Sequence, residues 1–166
     1  MATVSNVTIA SLNTLTIASV DVGYTGEPFT VSGEVTRVTF TPEQNFTPII
    51  SRMTGRAMTG GTQLWENTPE IAAILWSLPS ANVTSGGGQK VLSIDQGDRG
   101  NVTCVAVGKA GSAPGTSKVR TFNFANTVIS GAVETQMSKE DVSRMNIELE
   151  FLADSAGFIG TMTDTV

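Results

Sequence analysis

The residues that come closest to a chemical site in this chain are two glutamates near its end. Glu148 and Glu150 lie two residues apart, so in a β-strand their side chains share one face. Paired carboxylates perform acid–base chemistry on sugars, but that chemistry needs carboxylates that oppose each other across a cleft. Neighbours on one strand do not oppose each other. We therefore interpret the pair as part of a charged sheet face.

A second group of oxygen-bearing residues is Asp95, Asp98 and Asn101, spaced by three. A calcium loop uses ligands at alternate positions and ends in a glutamate, which this spacing does not provide. The glycine-rich segments 86–90 and 108–112 lack the Gly-Lys-Ser/Thr sequence that cradles a phosphate. All three segments are predicted to be turns or loops.

The sequence lacks the base that usually activates a catalytic nucleophile. The chain has no histidine, and its one cysteine, Cys104, has no basic neighbourhood. Cys104 is therefore expected to be a small buried apolar residue, and a disulfide within the chain is excluded. These features predict a protein that is not an enzyme and that uses no metal or cofactor.

Composition favours a single β-rich domain. The chain has 166 residues, of which 40% are hydrophobic and 15% charged, and Thr, Val, Ser and Gly are abundant. The formal net charge is −5, so tight binding to nucleic acid is not expected, although the protein could surround DNA without binding it. No signal peptide and no run of the ~20 apolar residues of a membrane span is expected.

One stretch, 68–78, predicts a helix. Thr68 is a good N-cap, Pro69 suits the first helical position, and Glu70 complements the helix dipole. Pro79 is expected to end the helix. Apolar residues recur at helical spacing and predict a face packed on the core. The residues of this face are Ile71, Ile74, Leu75 and Leu78.

The remaining chain predicts the sheet on which this helix packs. In the clearest strand, Met145, Ile147, Leu149 and Phe151 share one face. Two strands, 89–94 and 102–107, are expected to pair as a hairpin. The predicted class is mainly β, a sandwich or barrel with one flanking helix. Alternation and turn residues predict strands at 14–20, 29–40, 62–66, 89–94, 102–107, 118–125, 129–136 and 144–152.

The predicted domain spans 1–166 and has three peripheral parts. Residues 1–13 are expected to be a loose arm or an early edge strand, 41–61 a long contact loop, and 153–166 a tail. Exposed apolar residues in such segments mark protein contacts, unless both segments fold back on their own core. Edge strands could also pair across subunits. The predicted contact residues are Phe46, Ile49, Ile50, Arg52, Met53, Arg56 and Met58.

Taken in order, these segments resemble the tail tube proteins of long-tailed, siphovirus-like bacteriophages. The resemblance covers most of the chain, although the leading arm and the loop 108–117 have no counterpart. The segments that carry it are Asp21–Thr25 before a long strand, Glu43–Ile49 before a basic loop, Leu64–Thr68 before the helix, and Met145–Asp154 followed by Gly157 and Phe158.

This resemblance implies a structural virion protein that is assembled in the host cytoplasm and becomes part of the viral tail. Rings, usually of six subunits, stack into a tube through which DNA is ejected without specific binding. Strands of neighbouring subunits close an inner barrel with an acidic lumen. The implied partners are further copies of the chain, the tape measure protein and tail terminator or tip proteins. Contractile tails and type VI secretion tubes share this architecture.

The resemblance also assigns roles to particular segments. Residues 43–61 would reach a neighbouring subunit or ring, and Glu148 with Glu150 would line the lumen or an interface. Two other classes stay open: a capsid decoration or adhesion β-sandwich that binds a viral shell or a glycan, and a carbohydrate-active enzyme. The enzyme would use Asp95, Glu148 or Glu150 as its carboxylates.

Overall fold

The computed structural model describes residues 3–8, 12–41, 50–66, 68–109, 119–130 and 144–165. These ranges contain eleven strands, the helix α1 (Pro69–Leu75) and a 3-10 turn (Ser80–Asn82). The predicted class, mainly β with one flanking helix, is confirmed. The strands are β1 (Thr3–Thr8), β2 (Leu12–Ile17), β3 (Val20–Asp21), β4 (Thr30–Phe40), β5 (Ile50–Leu64), β6 (Val83–Gly86), β7 (Gln89–Leu92), β8 (Val102–Lys109), β9 (Val119–Ser130), β10 (Met145–Phe151) and β11 (Gly160–Thr165).

Nine of these strands form one antiparallel sheet, and β6 and β7 form a separate two-stranded sheet. The order in the large sheet is β1-β4-β5-β10-β9-β8-β2-β3, with β11 attached to β9. Two strands share one edge of β9, because β10 pairs with 127–130 and β11 pairs with 119–124. The long strands β4, β5 and β9 therefore hold the sheet together.

The hydrophobic core lies on one face of the large sheet. Strand β10 shows the predicted alternation, with Met145, Ile147, Leu149 and Phe151 buried and the residues between them exposed. The rings of Phe124 and Phe151 stack with centroids 3.7 Å apart. Helix α1 packs on this core, and its residues Ile71, Ile74 and Leu75 belong to the same core cluster as residues of β2, β4, β5 and β8–β10.

The helix begins where the sequence predicts. The Thr68 hydroxyl accepts a hydrogen bond of 3.3 Å from the Ile71 N–H, and Pro69 occupies the first turn. Ala72 and Ala73 are buried as well, so the buried surface of the helix is wider than the predicted apolar face. The four residues predicted for the core face are all buried: Ile71, Ile74, Leu75 and Leu78.

The predicted end at Leu78 is wrong, since α1 ends at Leu75. The Ser77 N–H donates to the Ile74 carbonyl at 3.0 Å, and the Leu78 N–H donates to the Ala73 carbonyl at 2.8 Å. This is the Schellman arrangement, in which the residue after the cap is left-handed. Ser77 has a φ of 52°. A backbone motif, rather than the proline that follows, therefore ends the helix.

Three strand expectations also need correction. Strand 14–20 is interrupted by a turn at Ala18 and Ser19, both with positive φ. The segments 89–94 and 102–107 do not pair. Instead β7 pairs with β6 and β8 lies between β2 and β9. The reason is local, because Gly87 and Gly88 both have positive φ and connect β6 to β7 by a tight turn. The two predicted strands at 118–136 are one strand, β9, over the described residues.

The peripheral parts are also more regular than expected. Residues 50–61 of the predicted contact loop belong to β5, and 160–165 of the predicted tail form β11. Residues 3–8 form an edge strand on β4, which was one of the two expectations for the leading segment. Glycine-rich, weakly alternating segments such as 50–61 gain strand structure here from long-range pairing, which the local sequence does not indicate. The loop residues 110–117 lie outside the described ranges.

Substitution of Gly60 tests the packing of the aromatic core. A Cβ at this position would lie 2.8 Å from Cζ of Phe151 and 3.2 Å from Cζ of Phe29. We expect Gly60→Ala to lower the free energy of unfolding by roughly 1–3 kcal/mol, because buried rings must move. Denaturant titration measures this effect. Gly33→Ala, on β4 with open space around its Cβ, is the matched control. Equal stability of both variants would contradict the expected clash.

Substitution of Ser77 tests the helix end. Ser77→Gly should raise the free energy of unfolding by up to about 1 kcal/mol, because glycine adopts positive φ without steric cost. Thermal unfolding should show a higher Tm. Ser80→Gly, in the neighbouring 3-10 turn, lacks that benefit and should not raise the Tm. A lower Tm for Ser77→Gly would show that the serine side chain stabilises the turn.

Candidate assembly surfaces

The hairpin of β4 and β5 extends beyond the sheet as a two-stranded ribbon, which we call the arm and define as residues 36–41 and 50–56. Its neighbours stop earlier, because β1 pairs with β4 only at 30–35 and β10 pairs with β5 only at 58–64. Beyond these points β4 and β5 pair only with each other within the described chain. The arm is about 17 Å long at 3.3 Å per residue.

Large apolar side chains on the arm face solvent. Val38 is 59% exposed, Phe40 62%, Ile50 53% and Met53 54%. Phe40 and Ile50 are directly opposite each other near the end of the described arm. A two-stranded ribbon has no core of its own, and the described part of the chain leaves these side chains largely exposed. Exposed clusters of this kind mark contacts with other proteins.

The structure brings together most of the predicted contact residues. Ile50, Arg52, Met53 and Arg56 are exposed on β5, whereas Met58 is half-buried and packs against the core cluster. The described apolar residues of the arm therefore face outward, and only the base of the predicted segment folds back. Two predicted residues, Phe46 and Ile49, lie outside the described ranges.

Sequence reasoning missed the other half of the arm. Val38 and Phe40 lie on β4 and are as exposed as their partners on β5. The alternation of the predicted strand 29–40 continues to its end, so the pattern alone does not show where burial stops. The sequence signal for the arm is the length of the predicted strand 29–40, which is longer than the other predicted strands and so can extend beyond them.

A groove lies between the base of the arm and the segment that follows β10. Asp154 shapes this segment, because its carboxylate accepts hydrogen bonds from the N–H groups of Ala156 at 2.9 Å and Phe158 at 2.8 Å. Phe158 is 51% exposed. The groove has a volume of about 490 Å³ and is lined by Met53, Arg56, Met58, Ala153, Gly157, Phe158, Ile159 and Gly160. The two predicted apolar segments are thus neighbours.

The opposite face of the sheet carries unpaired acidic residues. Glu148 and Glu150 are exposed on β10 and flank β5 at Gly61 and Thr59. Glu34 is exposed on β4 and lies opposite Ala57, two residues further along the same face of β5. We call the face formed by Glu34, Glu148 and Glu150 the acidic face. None of the three forms an ion pair with a described residue.

Asp95 and Asp98, which the sequence predicts to lie in turns, stabilise such turns in the structure. The Asp95 carboxylate accepts from the Gly97 N–H at 2.8 Å, and the Asp98 carboxylate accepts from the Gly100 N–H at 2.9 Å. No group of three or more metal-ligating residues occurs among the residues that the structure describes. The described acidic residues thus cap turns, form two surface ion pairs or lie on open surface.

Cys104 lies in the core, fully removed from solvent. Burial raises the pKa of its thiol from 9.0 to about 12. The thiol is therefore neutral at neutral pH, where a nucleophile or a metal ligand would be a thiolate. This matches the interpretation of Cys104 as a packing residue.

The raised pKa predicts how stability depends on pH. In the unfolded chain the thiol ionises above its ordinary pKa, whereas in the folded chain it stays neutral up to about 12. The contribution of the neutral Cys104 thiol to the free energy of unfolding is therefore fully present below about pH 9. It is lost as the pH rises from about 9 towards about 12. Urea unfolding at about pH 8 and about pH 10.5 should show a larger loss for the native chain than for Cys104→Ala. Equal losses would contradict the prediction.

No protein-family model matches this chain, and no curated protein matches it. Among the described residues, no helix is long and apolar enough to cross a membrane. The described residues present three surface features: an apolar arm, a groove at its base and an acidic sheet face.

Proposed function

We propose that this chain is a structural protein that assembles with copies of itself into stacked rings and forms the tail tube of a bacteriophage. The observation that carries the proposal is the arm. It exposes four large apolar side chains, Val38, Phe40, Ile50 and Met53, on a ribbon whose outer edges pair with nothing in the described chain. Such a ribbon is stabilised when a neighbouring subunit covers it.

The ring number, the stacking and the partner proteins in this proposal rest on the sequence resemblance. Rings of six subunits stack into a conduit for DNA ejection, and the tape measure and tail terminator or tip proteins bind its interior and ends. The net charge of −5 supports a tube that DNA passes through without specific binding, because an acidic wall repels phosphates. The protein would act in the virion tail after assembly in the host cytoplasm.

One observation favours a second candidate, an adhesion module that binds a glycan. Tyr24 is 77% exposed and Trp65 44%, and the two residues flank the β-bridge between Thr25 and Leu64. Exposed aromatic rings on neighbouring segments suit stacking against sugars. This candidate requires a compact monomer or trimer, and it predicts binding on a glycan array that is lost in Trp65→Ala.

Imaging of the purified protein across a range of concentrations distinguishes the two candidates. Negative-stain micrographs should show rings or tubes on the order of 100 Å wide if six domains of this mass pack in a ring. Monomers that persist at high concentration, even beside a tail-tip initiator, would contradict the tail tube.

Polar substitutions at the end of the arm test whether it drives assembly. Phe40→Ser with Ile50→Ser should raise the protein concentration needed for assembly by about tenfold or more, because burial of such side chains contributes about 1.5–3 kcal/mol each. Unfolding free energy should change by no more than about 0.5 kcal/mol, since both residues are exposed in the single chain. Light scattering and thermal unfolding measure the two effects.

A matched control uses an exposed apolar residue outside the arm. Ile94 is 70% exposed and lies after β7, so Ile94→Ser should leave the assembly concentration unchanged. Normal tubes from the Phe40→Ser, Ile50→Ser variant would remove the arm from the assembly interface.

A further inference from the structure

Two exposed aromatic residues lie at one end of the face of the large sheet that is opposite the core, which we call the outer face. The bridge between Thr25 and Leu64 brings Tyr24 and Trp65 opposite each other, and the Trp65 N–H donates to the Tyr24 carbonyl at 3.0 Å. Leu64 points into the core. Because side chains alternate along a strand, Trp65 and its partner Tyr24 point to the outer face.

The register of the sheet continues this row from Trp65 along β5. The next residues of the outer face are Gln63, which pairs with Asn146 on β10, and Gly61, which pairs with Glu148 on β10. The distance from Trp65 to Gly61 is about 13 Å at 3.3 Å per residue. The row can therefore hold a ligand longer than one sugar ring.

A cleft surrounds Gly61, which has no side chain to fill it. The volume of the cleft is about 400 Å³, within the range of about 300–1,000 Å³ that is typical of small-molecule sites. Among the described residues that line it there is no lysine or arginine. The polar side chains of the lining include Glu27, Thr30, Gln63, Asn146 and Glu148.

Hydrogen bonds fix the two amides of the cleft. The Trp65 indole N–H donates to Oε1 of Gln63 at 3.2 Å, and Nε2 of Gln63 donates to Oδ1 of Asn146 at 3.1 Å. The indole lies against Gly26, where an added Cβ would clash with the ring. Neither Nδ2 of Asn146 nor the Glu148 carboxylate has a partner among the described residues. The cleft thus presents a fixed amide donor next to a carboxylate acceptor.

We propose that Tyr24, Trp65 and the cleft around Gly61 form one site that binds a neutral oligosaccharide. One sugar ring stacks on the exposed aromatic rings, and the next ring places its hydroxyl groups in the cleft. This inference rests on the glycan-binding candidate and adds to it the second half of the site and the class of sugar. All of these residues belong to one chain, so binding does not depend on assembly.

The chemistry of the cleft favours ligands that are rich in hydroxyl groups and uncharged. A hydroxyl both donates and accepts, so a sugar can donate to the Glu148 carboxylate and accept from the Asn146 amide. Hydrogen bonds to an ionised carboxylate are about twice as strong as those between neutral groups. An acidic sugar would instead bring its own negative charge towards Glu27 and Glu148, where the lining offers no cation.

Tryptophan fluorescence tests the class of sugar. The chain has two tryptophans, Trp65 and Trp76, so Trp76→Phe leaves Trp65 as the single reporter. Neutral oligosaccharides selected on a glycan array should change the emission of Trp65. Oligosaccharides that contain uronic or sialic acid should not. Equal responses to neutral and acidic oligosaccharides would overturn the charge argument, and a response to spermidine or glucosamine oligomers alone would make this a cation site.

Substitutions test whether the two halves act together. Trp65→Ala and Glu148→Gln should each weaken binding at least about tenfold in isothermal titration calorimetry. Glu150→Gln is the matched control, because Glu150 lies on the same face of β10 but outside the cleft, and it should keep nearly native affinity. Circular dichroism melting checks that each variant is folded. Trp65→Phe, which keeps an aromatic ring, should retain more affinity than Trp65→Ala.

The other outcomes separate this site from the proposals on which it depends. Native affinity in Glu148→Gln, with binding lost in Trp65→Ala, would confine the sugar to the aromatic pair. That result would overturn the role of the cleft and leave the glycan-binding candidate standing. Absence of binding to every oligosaccharide of the array would end both the site and that candidate. The tail-tube proposal would be unaffected, since imaging tests it separately.

Discussion

The pairing of β4 with β5 is the interaction on which the rest of the structure depends. Their register runs from Thr30 opposite Gly61 to Phe40 opposite Ile50. One part of the hairpin lies inside the sheet, between β1 and β10, and fixes the core residues Val31 and Leu64. The other part projects as the arm. A single hairpin therefore contributes both to the folded core and to the exposed apolar side chains of the arm.

The packing under this hairpin explains how the projection is held in place. Gly60 has no side chain, so the rings of Phe151 and Phe29 lie directly against the backbone of β5. The stack of Phe151 on Phe124 then connects β10 to β9. Helix α1 covers the same core and is itself held at both ends, by the Thr68 cap and by the Schellman turn at Ser77. This buried part of the hairpin is separated from most of the arm by a register shift between Thr36 and Arg37.

The sequence predicts well those elements whose signals are local. The start of the helix at Thr68–Pro69 and the alternation from Met145 to Phe151 follow from neighbouring residues, and both are confirmed. Strand β7 pairs with β6 and not with the predicted partner β8, because Gly87 and Gly88 form a tight turn that brings β6 and β7 together. Strand β5 was missed in most of its length because residues 50–61 gain their structure from β4 and β10.

The candidate assembly surfaces likewise combine features that the local sequence predicts with features that depend on strand pairing. Composition predicts contact residues around Met53 and Met58, and that prediction is untested. The local sequence does not show that Met58 is half-buried and packs on the core whereas Met53 is exposed. That distinction depends on where β10 ends, at the pairing of Phe151 with Met58. The spacing of Glu148 and Glu150 predicts a shared face, whereas the position of Glu34 beside them follows only from the register across β5.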